Sequence, residues 1–138
     1  MVATKEGVGV NLGGSVISTD DLNIDTKGNI YYSTLGSQNS DVNITTTSSD
    51  NSSGNLNSKN SDSLIQAYNS DLAVSDSDYA NKGNINLNIA GSINNGGNII
   101  ANNILSYRSS DSSPYSASGS LNNSGIIKAY NSINLTFD

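Results

Sequence analysis

No cysteine occurs among the 138 residues, so neither a disulfide framework nor a cysteine-held metal can form. Histidine is missing too, which removes Ser-His-Asp and Cys-His nucleophiles and His-held zinc together. Tryptophan is absent, and proline and arginine occur once each, as Pro114 and Arg108. Positive charge is scarce: Lys+Arg number 6 against 12 for Asp+Glu, a net charge of −6. A surface of that sign repels phosphate backbones and anionic headgroups, so neither nucleic acid nor a membrane surface is expected as a partner. No apolar run approaches the roughly 18–20 residues of a membrane span, so no membrane insertion is expected. The opening Met1-Val2-Ala3-Thr4-Lys5 lacks the apolar stretch of a signal peptide. Residues 1–138 read as a single segment, and the expectation is either a cytoplasmic protein or a piece cut from a longer exported chain.

What the chain does contain is 26 Ser and 23 Asn, beside only 31 residues of Ile, Leu, Val and Phe. Such a composition borders on disorder. The apolar residues nonetheless alternate with polar ones. Asn84-Ile85-Asn86-Leu87-Asn88-Ile89 sets three aliphatic side chains against three amides, and shorter copies are Leu22-Asn23-Ile24, Val42-Asn43-Ile44, Leu72-Ala73-Val74 and Ile133-Asn134-Leu135. Period two means strand. No window carries helical spacing, and Asn, Ser and Gly are weak helix formers. The expectation is an all-β chain without helix.

A spacing near twenty residues recurs, and it places Ile24, Ile44 and Leu64 in one register and Ile65, Ile85 and Leu105 in another. A repeated string is more specific. Gly91-Ser92-Ile93-Asn94-Asn95-Gly96-Gly97-Asn98-Ile99-Ile100-Ala101 matches residues 119–129 at seven of eleven positions, with Ile93 exchanged for Leu121 at an eighth. Ser63–Ser70 aligns with Gly125–Ser132, and Ser15–Thr19 is a degenerate fourth copy. Internal repeats of this length mean a coil stacked on its own copies. Ile, Leu and Ala would point inward, Asn would stack on Asn, and Ile65, Ile99 and Ile127 would share one interior wall. Gly and Asn, including the pairs Gly13-Gly14 and Gly96-Gly97, would take corners that need left-handed backbone angles. Thr45–Asp62, Ser75–Lys82 and Ser106–Ser118 break the period and read as Ser/Asp-rich loop insertions.

The string Gly-x-[Ile/Leu]-x-Asn-x-Gly-x-Ile-x-Ala, followed by a short aliphatic strand, resembles the repeat of filamentous-haemagglutinin-type exoproteins of two-partner secretion. These include adhesins and contact-dependent growth-inhibition effectors. The resemblance covers Gly83–Asp138, is fainter over Gly54–Val74, and weaker still before that. It implies a right-handed parallel β-helix, or solenoid, carrying loop insertions. It also implies an outer-membrane transporter as a partner, localisation at the bacterial cell surface, and a receptor on a host or neighbouring bacterial cell. The expected function is a structural and adhesive shaft that presents a binding or toxin module. One alternative is that this segment is itself the receptor-binding region.

Tyr107, Arg108 and Tyr115 gather aromatics and the sole guanidinium in an off-period loop, and they are the candidate binding residues. Tyr68 and Tyr130 occupy matching repeat positions and read as a structural stack. Asp20-Asp21 and Asp76-Ser77-Asp78 offer oxygen ligands for calcium, but at no recognised spacing, and they read as solvated loops. No metal and no cofactor is expected. The carboxylate pairs Asp25/Asp41 and Asp62/Asp71 invite comparison with polysaccharide-degrading β-helices, which place two acids about 5–9 Å apart. Without histidine, and without tryptophan to stack a sugar ring, catalysis is not expected.

Overall fold

A computed structural model describes residues 2–3, 9–47, 54–67, 83–107 and 120–135. Among these the secondary structure is all strand and no helix. The strands are β1 (Val2–Ala3), β2 (Val10–Ser18), β3 (Leu22–Thr26), β4 (Ile30–Ser37), β5 (Val42–Thr46), β6 (Leu56–Ser58), β7 (Leu64–Ala67), β8 (Asn84–Ile89), β9 (Ile93–Asn95), β10 (Asn98–Tyr107), β11 (Leu121–Asn123) and β12 (Ile126–Leu135). They form one sheet in which every described pairing is parallel. The strand order is an open path from β1 to β11, so the sheet does not close.

The pairings sort into three ladders. The first stacks β1, β3, β5, β8 and the second halves of β10 and β12. The second stacks the start of β2, the start of β4, β6, β9 and β11. The third stacks the ends of β2 and β4, then β7 and the first halves of β10 and β12. The chain visits the ladders in that order and returns to the first, so each pass lies beside the previous one.

Alternation within each strand sends one set of side chains into a single core. Inward rows run across the passes: Ile30–Leu56–Ile93 in the second ladder, Val42–Ile85–Ile104 in the first and Leu35–Ile65–Ile99–Ile127 in the third. The members before Ile127 are fully buried, and each such aliphatic side chain contributes about 1.5–3 kcal/mol relative to exposure. Ile65, Ile99 and Ile127 thus share one wall, as the repeat predicts. The repeated string is in register as well: Ile93 pairs with Leu121 and Ala101 with Ala129. The degenerate copy joins the same ladder one residue out of phase with the alignment: Val16, not Ile17, falls in the row of Leu35 and Ile65, and Ile17 is exposed.

Four expectations need correction. Leu64 does not continue the Ile24–Ile44 row, whose next member is Leu87; it pairs with Thr34 and Asn98 in another ladder. Ile65, Ile85 and Leu105 likewise lie in no common row, because Ile65 belongs to the third ladder and Leu105 pairs with Asn86, not Ile85. Passes differ in length, so a constant spacing drifts out of phase. Thr45–Asp62 is not wholly an insertion: Thr45 and Thr46 finish β5, and Leu56 of β6 is fully buried. Ser106, assigned to a loop, is buried at the end of β10; residues 75–82 and 108–118 lie outside the described ones.

The glycine pairs do sit where the chain passes from the second ladder to the third, but not for the expected reason. Among the described glycines, positive φ occurs at Gly54 and Gly83, not at the pairs. Gly97 is needed because its backbone runs over the previous pass: an added Cβ would collide with the Ser63 carbonyl, which accepts the Asn98 N–H at 2.8 Å. Gly125 meets the Gly97 carbonyl in the same way, and that oxygen accepts the Ile126 N–H at 2.8 Å.

Candidate functional site

Outward positions of the first two ladders carry asparagine over asparagine. Asn43 Nδ2 donates to Asn23 Oδ1 at 2.9 Å and Asn86 Nδ2 to Asn43 Oδ1 at 2.8 Å. A second row runs Asn131 to Asn103 to Asn84, with both bonds at 2.8 Å. In the second ladder Asn122 donates to Asn94 at 2.8 Å and Asn94 to Asn57 at 2.7 Å. In all three rows the later residue donates to the earlier one. Parallel stacking at about 4.8 Å brings identical amides within reach, and the result is an uncharged, self-paired amide face.

The turns entering the ladders use side-chain oxygens to hold the next pass. Asp21 Oδ1 accepts from Ser40 Oγ and from the Asp41 N–H, and Asp41 Oδ1 accepts from the Asn84 N–H at 2.7 Å. Before the second ladder, Asn29 Oδ1 accepts from the Asn55 N–H at 2.9 Å and Asn55 Oδ1 from the Ser92 N–H at 2.7 Å. The Ser40 hydroxyl, then the Asp41 amide, hold the Asp21 carboxyl below its ordinary range. Asp25 is exposed on β3 and Asp62 is exposed between β6 and β7, while Asp71 lies outside the described residues. The carboxylates at 21 and 41 thus act as backbone caps. Among the described residues no three acidic, His or Cys side chains cluster to hold a metal ion.

Several polar side chains are buried with the core. Asn95, 2% exposed, receives the Tyr32 hydroxyl on Oδ1 at 3.3 Å and donates through Nδ2 to Asn123 Oδ1 at 2.8 Å. Burial pushes the Tyr32 phenol well above its usual range. Alongside, Ser63 Oγ donates to the Tyr32 carbonyl at 3.2 Å. Thr46 Oγ1 donates to the Gly54 carbonyl and accepts the Ala90 N–H at 3.0 Å, whereas Oγ1 of Thr26, its partner in the row, has no hydrogen bond. Asn102 Oδ1 is unpaired as well. Asn102 stands where β12 carries two residues, Tyr130 and Asn131, between the pairs Ala101↔Ala129 and Asn103↔Ser132.

Of the predicted contact residues, Tyr107 closes β10 with its backbone paired to Asn88, and Arg108 and Tyr115 lie outside the described residues. Tyr68 does too, so the Tyr68/Tyr130 stack is left aside; Tyr130 is half-buried with the Lys128 ammonium 4.6 Å from its ring centre. No protein family, curated protein or solved structure matches the chain. Sequence reasoning missed Tyr32 and Asn95 as a buried pair. The available signal was that Asn95 recurs as Asn123 in the second copy of the repeated string, at the position that alternation turns inward next to Asn94.

Proposed function

We propose that the chain is a segment of a right-handed parallel β-helix, and that it works as a structural, adhesive shaft of a secreted bacterial cell-surface exoprotein. The observation that carries this reading is the continuity of identical rows across passes, aliphatic inside and amide outside. Such rows suit an element whose length can grow by repetition. The handedness rests on the strong right-handed preference of connections between parallel strands. The self-paired amide rows and the carboxylates spent as caps favour a supporting element over a catalytic one. The exported location, the transporter and the receptor on another cell rest on the resemblance of the repeated string.

The test combines shape and adhesion. Small-angle scattering of the purified chain is expected to give a rod-like cross-section, and binding of labelled chain to bacterial or epithelial cells is expected to be unchanged by deleting 108–118. Saturable binding lost on deleting 108–118 would replace this reading by a receptor-binding one. Release of reducing ends from acidic polysaccharides would replace it by an enzymatic one.

A further inference from the structure

Asn95–Gly96 is the chain's one Asn-Gly pair, the dipeptide in which amide cyclisation meets least steric hindrance because the second residue has no Cβ. In that reaction the Gly96 backbone nitrogen, after losing its proton, attacks Asn95 Cγ. The N–Cγ bond forms, the Cγ–Nδ2 bond breaks, and Nδ2 leaves as ammonia. Water then opens the succinimide, at Cγ to give aspartate or at the backbone carbonyl to give isoaspartate.

Every atom that must move is held in the paired structure. The Gly96 N–H donates to Ser58 Oγ at 2.7 Å. Asn95 Oδ1 accepts from the Gly97 N–H at 3.2 Å and from the Tyr32 hydroxyl. Nδ2 donates to Gly97 O at 3.0 Å, Asn123 Oδ1 at 2.8 Å and Ile126 O at 3.4 Å. The Asn95 carbonyl accepts from the Ser124 N–H at 2.9 Å. Conversion to aspartate would turn the donor that meets three oxygens into a fourth oxygen, charged and buried, which costs far more than losing a neutral hydrogen bond. Two of those oxygens belong to β11 and β12, and the Ser124 contact lies in the turn between them.

We propose that Asn95 is a conformationally gated deamidation site: protected while β9 and β11 are paired, reactive when they part, and, once converted, unable to hold β11 and the start of β12 in place. The fold thus carries a one-way switch that releases its last described strands once Asn95 has reacted.

The test is peptide mapping of the full chain after incubation in mildly alkaline buffer, native and in urea. Conversion at Asn95 is expected to be at least roughly tenfold slower in the native chain, because reaction then waits on opening. Equal rates, or no conversion in urea, would overturn the gating. Gly96→Ala, whose added Cβ would meet Ser58 Oγ at 3.4 Å, is expected to fold and to suppress conversion in urea; undiminished conversion overturns the cyclisation route. Asn95→Asp is expected to lose amide-exchange protection over 121–135 while keeping it over 22–46. Full protection throughout, or loss throughout, would overturn a localised release.

Discussion

The two copies of the repeated string, 91–101 and 119–129, differ little in sequence and greatly in environment. Ile93 and Ile99 of the first are 2% and 1% exposed, whereas their partners Leu121 and Ile127 are half-buried. Asn95 is buried and Asn123 is exposed. The first copy has β6 and β7 on one side and β11 and β12 on the other. Among the described residues the second copy has a neighbour on one side alone. Burial here belongs to adjacent passes rather than to the string, as expected when stability is a sum of nearest-neighbour terms. Ile133 and Leu135 of β12, at 43% and 36% exposure, show the same end effect beside their buried partners Ile104 and Ser106.

The sharpest way to break this comparison is to truncate the same position in each copy. Ile99→Ala is expected to cost about 3–4 kcal/mol, the range for a buried aliphatic that leaves a cavity. Ile127→Ala is expected to cost about half as much, because its pocket already opens to water on one side. Urea denaturation of both variants reads the difference. Equal losses would mean that the last described pass is as enclosed as the middle ones.

How far the sequence discloses this arrangement depends on which residues carry the signal. Strict alternation over 84–89 yields β8, with Ile85, Leu87 and Ile89 buried. The repeated string yields the register of four strands, because its identical residues pair directly. Uniform spacing fails because passes vary: Asn43 lies 20 residues after Asn23, Asn86 lies 43 after Asn43, and Asn103 lies 19 after Asn84. β6 is hidden because one apolar residue, Leu56, carries its whole inward face. The twenty-residue offset of Asp21 and Asp41 is visible in the sequence, but their work as caps is not; it depends on which backbone N–H the next pass brings alongside. Tyr107, Arg108 and Tyr115 drew notice by composition, and composition does not place them.

A neighbour on each side favours burial without being required for it, since among the described residues Ile24 is buried with a paired residue on one side alone. The stacked threonines show what burial leaves open. Thr26 and Thr46 are both buried, yet Thr46 Oγ1 has two partners and Thr26 Oγ1 has none. Thr46→Val is expected to cost about 1–3 kcal/mol by breaking the two buried hydrogen bonds of Thr46 Oγ1, to the Gly54 carbonyl and from the Ala90 N–H. Thr26→Val is expected to be neutral or slightly stabilising, since it removes a buried hydroxyl that pairs with nothing. Thermal midpoints of the two variants decide it, and a loss at Thr26 matching that at Thr46 would show that Thr26 has a partner in solution. A smaller effect is expected at Tyr32, whose neutral form the fold favours. Its contribution is fully present below the ordinary phenol value of 10.0 and falls as pH rises beyond it. Tyr32→Phe, compared with the parent by urea midpoints at rising alkaline pH, should flatten that decline; a decline of unchanged steepness would assign it to other groups.

The smallest expected effect lies toward the other end of the stack, where Asp21 holds the entry to β5. Its carboxyl is fully exposed, so screening by water keeps its contribution slight, but the direction is fixed by the bonds it accepts. Ser40 and the Asp41 N–H favour the ionised form and lower its proton affinity in the folded chain. The stabilisation is therefore complete above the ordinary carboxylate value of 3.8 and is lost as pH falls through the lowered folded-state value. Asp21→Asn keeps an acceptor oxygen but no charge, so its thermal midpoint should lie slightly below that of the parent near neutrality and converge with it in acid. A gap that stayed constant into acid would mean that the charge at Asp21 adds nothing to what its oxygen already holds. The entry to β5 would then be fastened by hydrogen-bond geometry alone, like the asparagine-capped turns before the second ladder.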